Sequence, residues 1–249
     1  MSQAASRSAR ILAQTAMELR LTARRGENVL VTMIVPAVVL AFFGSVAALP
    51  TPAGPPVAFL LPGALALAVI ATSLVSLGIA TAFERNYGVL KRLGGSPLTR
   101  TDLVAAKIGA VLAVELLQFV LLLATAWIVL GWSPAASANP VLVAIILLLG
   151  TLAFVGLGLL LAGSLRAEAT LALANGMFVV ALLLGGIILP LDQLPAPLSA
   201  AARLLPAAAL SEALRATLGA GGDLVAPLAI LTAWGTAAIA LATRTFRWE

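Results

Sequence analysis

Charged residues are absent from residue 28 to residue 83. They then crowd into the stretch Glu84 to Asp102, ERNYGVLKRLGGSPLTRTD, and thin out again, so that from Lys107 to Gly163 only Lys107 and Glu115 are charged. On either side of the island, runs of about 20 apolar residues recur, each long enough to cross ~30 Å of hydrocarbon. The pattern predicts six membrane-spanning helices, over 29–49, 57–83, 108–132, 140–165, 169–189 and 224–243. The chain reads as one all-α polytopic membrane domain over 1–249. A β-barrel would alternate polar and apolar positions over short segments instead.

Between the spans, the pattern predicts further elements. Leu12, Ala16, Leu19 and Ala23 follow helical spacing, with Arg10, Gln14, Glu18 and Arg25 opposite. An amphipathic helix over 10–26 is therefore expected to lie in the membrane interface, its arginines toward headgroups; the alternative is a helix packed on protein. Residues 1–9 are small and polar and are expected to be disordered. Pro36 falls inside the first span, and PTPAGPP over 50–56 cannot be helical. In the 84–102 island, Tyr87, Val89, Leu90 and Leu93 form the apolar stripe of a short helix, with Lys91 and Arg92 toward solvent. Gly94-Gly95 stops that helix, and Asp102 caps the next. The stretch 190–223, with prolines at 190, 195, 197 and 206, is expected to form short helices at the outer surface, with a re-entrant segment as the alternative.

Composition sharpens this picture. The chain is 61% hydrophobic and 10% charged, against about 25% charged in a soluble domain. Of its 15 Lys and Arg residues, 13 fall in the N-terminus, the island through Lys107, the turn at Arg166 or the tail. Only Arg203 and Arg215 lie on the other side, so both termini are expected in the cytoplasm. The net charge of +5 is a topology signal, and no nucleic-acid partner is expected. Cysteine and histidine are absent, which removes thiol catalysis, the commonest proton shuttle and the usual metal ligands; no metal site is expected. No cleavable signal peptide is expected.

The remaining candidates are polar groups inside spans. Glu115 and Gln118 share a face of the third span, and an ionisable residue there is by default a functional candidate. Asn175, beside Gly176 in the fifth span, is a candidate for bonding across helices. These three residues are the candidates for a substrate pathway. A phosphate-binding loop needs a Gly-Lys-Ser/Thr sequence, and neither Lys91 nor Lys107 stands in one.

Glu84-Arg85, Gly88, Leu90, Leu93, Pro97 and Arg100 together resemble the coupling segment of ABC-2-type exporter permeases, the membrane subunits of ATP-binding-cassette transporters. Leu194-Pro195, Leu205-Pro206 and Glu212-Ala213-Leu214-Arg215 are similar to the family's extracellular motif. The tail Arg244–Trp248 resembles members of the daunorubicin-resistance kind. The resemblance covers nearly the whole chain. It implies that Glu84, Arg85, Tyr87, Gly88, Leu90 and Leu93 contact a separate ATPase subunit, which carries the ATP and magnesium, while this chain binds no cofactor. It further implies a second permease, identical or related. The excess of Arg over Lys, with abundant Ala, Gly and Leu, points to GC-rich coding and so to a bacterial plasma membrane. The few polar groups in the spans point to a hydrophobic or amphipathic substrate, a drug or lipid first and a polysaccharide second. The alternative is an ion- or proton-coupled transporter centred on Glu115.

Overall fold

The computed structural model describes residues 6–24, 26–46 and 55–245. The expected turn over 50–56 lies almost wholly outside these residues, as do the first five residues, Arg25 and the tail 246–249. Among the described residues every regular element is helical: α1 (Arg7–Arg24), α2 (Gly26–Ser45), α3 (Pro56–Asn86), α4 (Val89–Gly94), α5 (Arg100–Val129), α6 (Pro140–Ser164), α7 (Ala167–Leu184), α8 (Ala196–Ala202), α9 (Pro206–Arg215) and α10 (Val225–Thr245). Helices α3, α5, α6, α7 and α10 are long and apolar enough to cross a membrane, and α2 adds the shorter apolar run Thr32–Ser45. The chain is a polytopic helical membrane protein.

Local chemistry sets the helix ends. Thr99 is the N-cap of α5, and Asp102, expected as the cap, stands three residues on and completes a capping box: the Thr99 hydroxyl accepts from the Asp102 N–H at 3.2 Å, and the Asp102 carboxylate accepts from the Thr99 N–H at 3.4 Å. Asn139 does the same for α6, accepting from the N–H groups of Val141 and Leu142, with Pro140 in the first turn. Between α3 and α4 the backbone turns at Gly88 with φ of 71°, a conformation that costs any residue with a Cβ.

Helix α6 is central. It packs along α10 on one side, where a Cβ on Gly156 would stand 2.6 Å from the Cβ of Ala238. It packs against α3 on the other, where Gly78 and Gly158 bring the two backbones together. Opposite Gly158, α3 widens into a π-helical stretch, Ile70–Ser76, so that the Ser73 carbonyl presses on the glycine. Small residues permit this approach, which is how membrane helices gain packing without a hydrophobic driving force.

One expectation is corrected, and one left open is decided. Helix α1 starts at Arg7, so the ordered chain reaches into residues 1–9, and it packs on α5 through its polar stripe, which was expected to face headgroups. Gln14 is buried and Glu18 nearly so, whereas Leu12 and Met17 are exposed. The polar stripe faces protein because α5 offers it charges, and the apolar stripe is left for lipid. The second point concerns α9, for which the sequence left two readings, at the outer surface or re-entrant. Pro206 to Ser211, with Ala213 and Leu214, is buried among α3, α6, α7 and α10. The Leu204 carbonyl before it accepts from Trp234 Nε1 at 3.0 Å, nine residues into α10, or about 14 Å of helix. The segment re-enters the bundle, which non-spanning backbone tolerates where protein covers it.

Gly158→Ala drives a methyl group to 2.8 Å from the Ser73 carbonyl, a backbone atom that cannot swing aside. It is expected to destabilise the chain by roughly 1–3 kcal/mol. Thermal unfolding of the detergent-purified protein measures this, and an unchanged midpoint contradicts the close α3–α6 contact.

Candidate functional site

At one end of the bundle, α4 stands between α3 and α5, and its two faces differ. Leu90 is fully buried in a cluster with Leu77, Leu103, Val104, Val155, Leu159 and Ala242, so it ties α4 to α3, α5, α6 and α10. Leu93 is half-buried against the same cluster. Tyr87 and Val89 are exposed, as are Lys91 and Arg92. The single apolar stripe expected of the short helix is thus divided: Leu90 points inward, while Tyr87 and Val89 point away from the bundle. A six-residue helix cannot bury all four apolar side chains while one side rests on other spans.

Glu84 and Arg85, the last polar pair of α3, are braces. Arg85 donates to the carbonyl of Leu165 and so holds the end of α6. Glu84 accepts from Lys107 Nζ at 2.8 Å. Lys107 is 1% exposed, and its ammonium lies 3.1 Å from Glu18 as well. The two carboxylates are themselves nearly covered, at 12% and 13% exposure. One buried cation therefore joins α1, α3 and α5. One turn or so away, the wholly buried Asp102 carboxylate accepts from Arg7 at 2.7 Å and Arg10 at 3.5 Å, fastening α1 to α5 a second time. Sequence reasoning counted Lys107 only as a topological charge and left Glu18 on an outer face. The available signal was a lysine at the start of a span with acids on both preceding helices.

Deeper in the bundle the structure brings Glu115 and Gln118 together with the π-helical stretch of α3. Ser73 and Thr151 each donate to one oxygen of Glu115, both at 2.5 Å. Thr72 donates to Gln118 Oε1 at 2.9 Å, and Gln118 Nε2 donates to the Thr32 carbonyl at 3.2 Å. Glu115, Ser73 and Thr151 are wholly buried. The cluster thus links α2, α3, α5 and α6. A cavity of about 90 Å³, lined by Glu18, Thr22, Thr32, Thr72, Ser76 and Lys107 among others, runs between it and the ion triad. Asn175 does not join this cluster: it is exposed on α7.

At the opposite end, Pro206 occupies the first turn of α9 and Pro195 precedes α8. Glu212 and Arg215 do not pair with each other. Arg203 bridges Glu212 at 3.2 Å and Asp192 at 2.7 Å. Arg215 donates to the Gly186 carbonyl at 2.7 Å and lies 4.1 Å over the Phe59 ring. Burial lowers its pKa to about 10, so it stays charged near neutrality. These groups border a pocket of about 360 Å³ with Asp223 and Pro227.

Compared with known proteins, residues 10–218 match the model of the ABC-2 type transporter family. The match takes in α1, the braces, α4, the intramembrane cluster and α9. No curated protein matches the chain.

Lys107→Met strands two buried carboxylates and is expected to cost on the order of 3–5 kcal/mol, whereas Lys107→Met combined with Glu18→Gln and Glu84→Gln recovers most of the loss. Thermal unfolding of the single and triple variants tests this; equal midpoints for wild type and Lys107→Met contradict the triad.

Proposed function

Because the chain belongs to the ABC-2 type transporter family, we propose that it is the permease subunit of an ATP-binding-cassette exporter, driven by a separate ATPase subunit that carries the nucleotide and magnesium. The observation that carries this reading is the two-sided α4, anchored inward by Leu90 and presenting Tyr87, Val89, Lys91 and Arg92 outward. A short helix of that kind fits a groove on a partner. Force applied to its outer side passes through Leu90 and the neighbouring braces into α3, α5, α6 and α10, and through Lys107 into α1.

The ATPase biases the permease only if it contacts α4 differently in two states of the bundle. The excess of Lys and Arg at the α4 end supports a topology with that end and both termini in the cytoplasm and the pocket beside Arg203, Glu212 and Arg215 outside. The membrane is, on this reading, a bacterial plasma membrane. The substrate is hydrophobic or amphipathic, a drug or a lipid, because the spans offer few polar groups to any other cargo. The rival is an ion- or proton-coupled transporter centred on Glu115; it has the buried carboxylate in its favour and predicts transport without any ATPase.

The test is purification of the tagged chain from its own membranes. A co-purifying subunit with a phosphate-binding loop, and ATP hydrolysis by the complex in vesicles, is the expected result. Tyr87→Ala with Val89→Asp is expected to weaken co-purification about tenfold or more while the chain still inserts. Leu90→Asp is expected to disrupt the bundle itself, since it buries a charge. Full retention of the ATPase by the Tyr87/Val89 variant, measured by quantitative pull-down, contradicts the assignment of α4.

A further inference from the structure

We propose that the pocket beside α9 holds the headgroup of a membrane phospholipid, a phosphodiester that also carries a primary ammonium, with the phosphate on Arg215 and the ammonium on Asp223. The proposal needs only a membrane-embedded chain and does not rest on the transport reading.

Arg215 carries the argument. Its Nη2 donates to the Gly186 carbonyl at 2.7 Å, and its guanidinium lies over the Phe59 ring. Nε is buried without a partner, and Nη1 bonds to nothing among the described residues. A cation drawn out of water calls for an anion beside it. The sequence supplies three acids at this end of the bundle, Asp192, Glu212 and Asp223. Arg203 holds the first two. Asp223 Oδ1 accepts from the Val225 N–H at 2.9 Å at the start of α10. None of the three forms an ion pair with Arg215. Arg215 therefore keeps a free donor with no acid of this chain to take it.

The space in front of Arg215 fits an amphipathic headgroup. It measures about 360 Å³, within the usual range of small-molecule sites. Phe59, Leu191, Pro227 and Ile230 supply its apolar wall, and the charged groups its polar one. Phe59 and Ile230 stand three and five residues into α3 and α10. That is about 5–8 Å of helix, the thickness of one headgroup layer. Helix α10 is largely uncovered along its length, which leaves it to acyl chains.

Charge selects the headgroup. Three acids against Arg203 and Arg215 leave the pocket with an excess negative charge. A bare anion gains Arg215 but is repelled by that excess. A zwitterion pairs both groups at once. Asp223 is the acid that no cation of this chain holds, and its Oδ2 accepts nothing among the described residues. A primary ammonium donates to such an oxygen; a quaternary one has no N–H to give.

The test titrates the full-length chain, in a neutral detergent, with short-chain phosphatidylethanolamine and counts bound lipid by native mass spectrometry. Phosphatidylglycerol and phosphatidylcholine of the same chain length, soluble phosphoethanolamine and inorganic phosphate are the parallel titrants. A single saturable lipid is expected, with phosphatidylethanolamine preferred roughly two- to fivefold over the other two lipids. Neither soluble phosphate compound is expected to bind in the same concentration range. Arg215→Met is expected to weaken lipid binding roughly tenfold or more. Asp223→Asn keeps a side chain that caps α10 and is expected to abolish the preference for ethanolamine while phosphatidylglycerol still binds. Should Arg215→Met lose the fold along with its Gly186 brace, the wild-type titrations and Asp223→Asn still decide. Absence of a saturable lipid, equal binding of inorganic phosphate or phosphoethanolamine, or unchanged binding by a folded Arg215→Met overturns the site. Equal affinity for the three lipids, or a preference that survives Asp223→Asn, overturns the pairing with Asp223.

Discussion

An ammonium group removed from water has to be paired, and around Lys107 the charged end of this bundle is assembled. Its two carboxylate partners come from α1 and from the last turn of α3, and the lysine itself from the second turn of α5. The pairs of Asp102 with Arg7 and Arg10 also fasten α1 to α5, so these ion pairs together hold α1 in place, and the Lys107–Glu84 pair ties the end of α3 to α5. Buried ion pairs add little net stability over apolar packing, but they penalise any arrangement that separates them. That is the property a force-bearing joint needs. The start of α4 follows Glu84 by only a few residues, and the Leu90 cluster closes the other side of the same joint.

The interior follows the same logic with neutral partners. Glu115 sits among hydroxyls from α3 and α6, and Gln118 bonds to α3 and to the α2 backbone. These bonds converge on the one place where α3 departs from α-helical geometry. A π-helical stretch and an α-helix differ by one residue in register, so a helix that carries one has two nearby arrangements. Polar groups on three neighbouring helices hold the wide form here, next to the Gly158 contact that its carbonyls occupy. A bundle that must change shape when pushed at α4 has in α3 a helix that runs from that lever to this cluster.

Much of this was legible from residues in order. The apolar runs showed a polytopic helical membrane protein, Gly94-Gly95 marked the end of the short helix, and the loose motifs of the 84–102 and 190–223 stretches pointed to the family. What was not legible has a common physical cause. In water an amphipathic helix buries its apolar face, but beside a membrane lipid takes that face, and α1 turned inward Glu18, which meets Lys107, and Gln14, which donates to Glu18. Lys107 reads as a charge at the end of a span until Glu18 and Glu84 are seen beside it. Leu90 and Val89 are neighbours of equal hydropathic character, and only the position of α5 and α6 decides which is covered. The segment of α9 read as too polar and broken to span, which left open whether it lies on the surface or re-enters; the space that α6 leaves at Gly150, where Leu210 packs, decides for re-entry.

The central claim is that the outward face of α4 is a cytoplasmic contact through which a nucleotide-driven subunit works the bundle. Its most direct test is the accessibility of Tyr87→Cys, introduced into a chain that has no cysteine of its own, to a membrane-impermeant thiol reagent. The account predicts no labelling from outside intact cells, labelling in inverted vesicles stripped of peripheral subunits, and protection when the ATPase is bound. Labelling from outside, or labelling in inverted vesicles that the ATPase leaves unchanged, contradicts it.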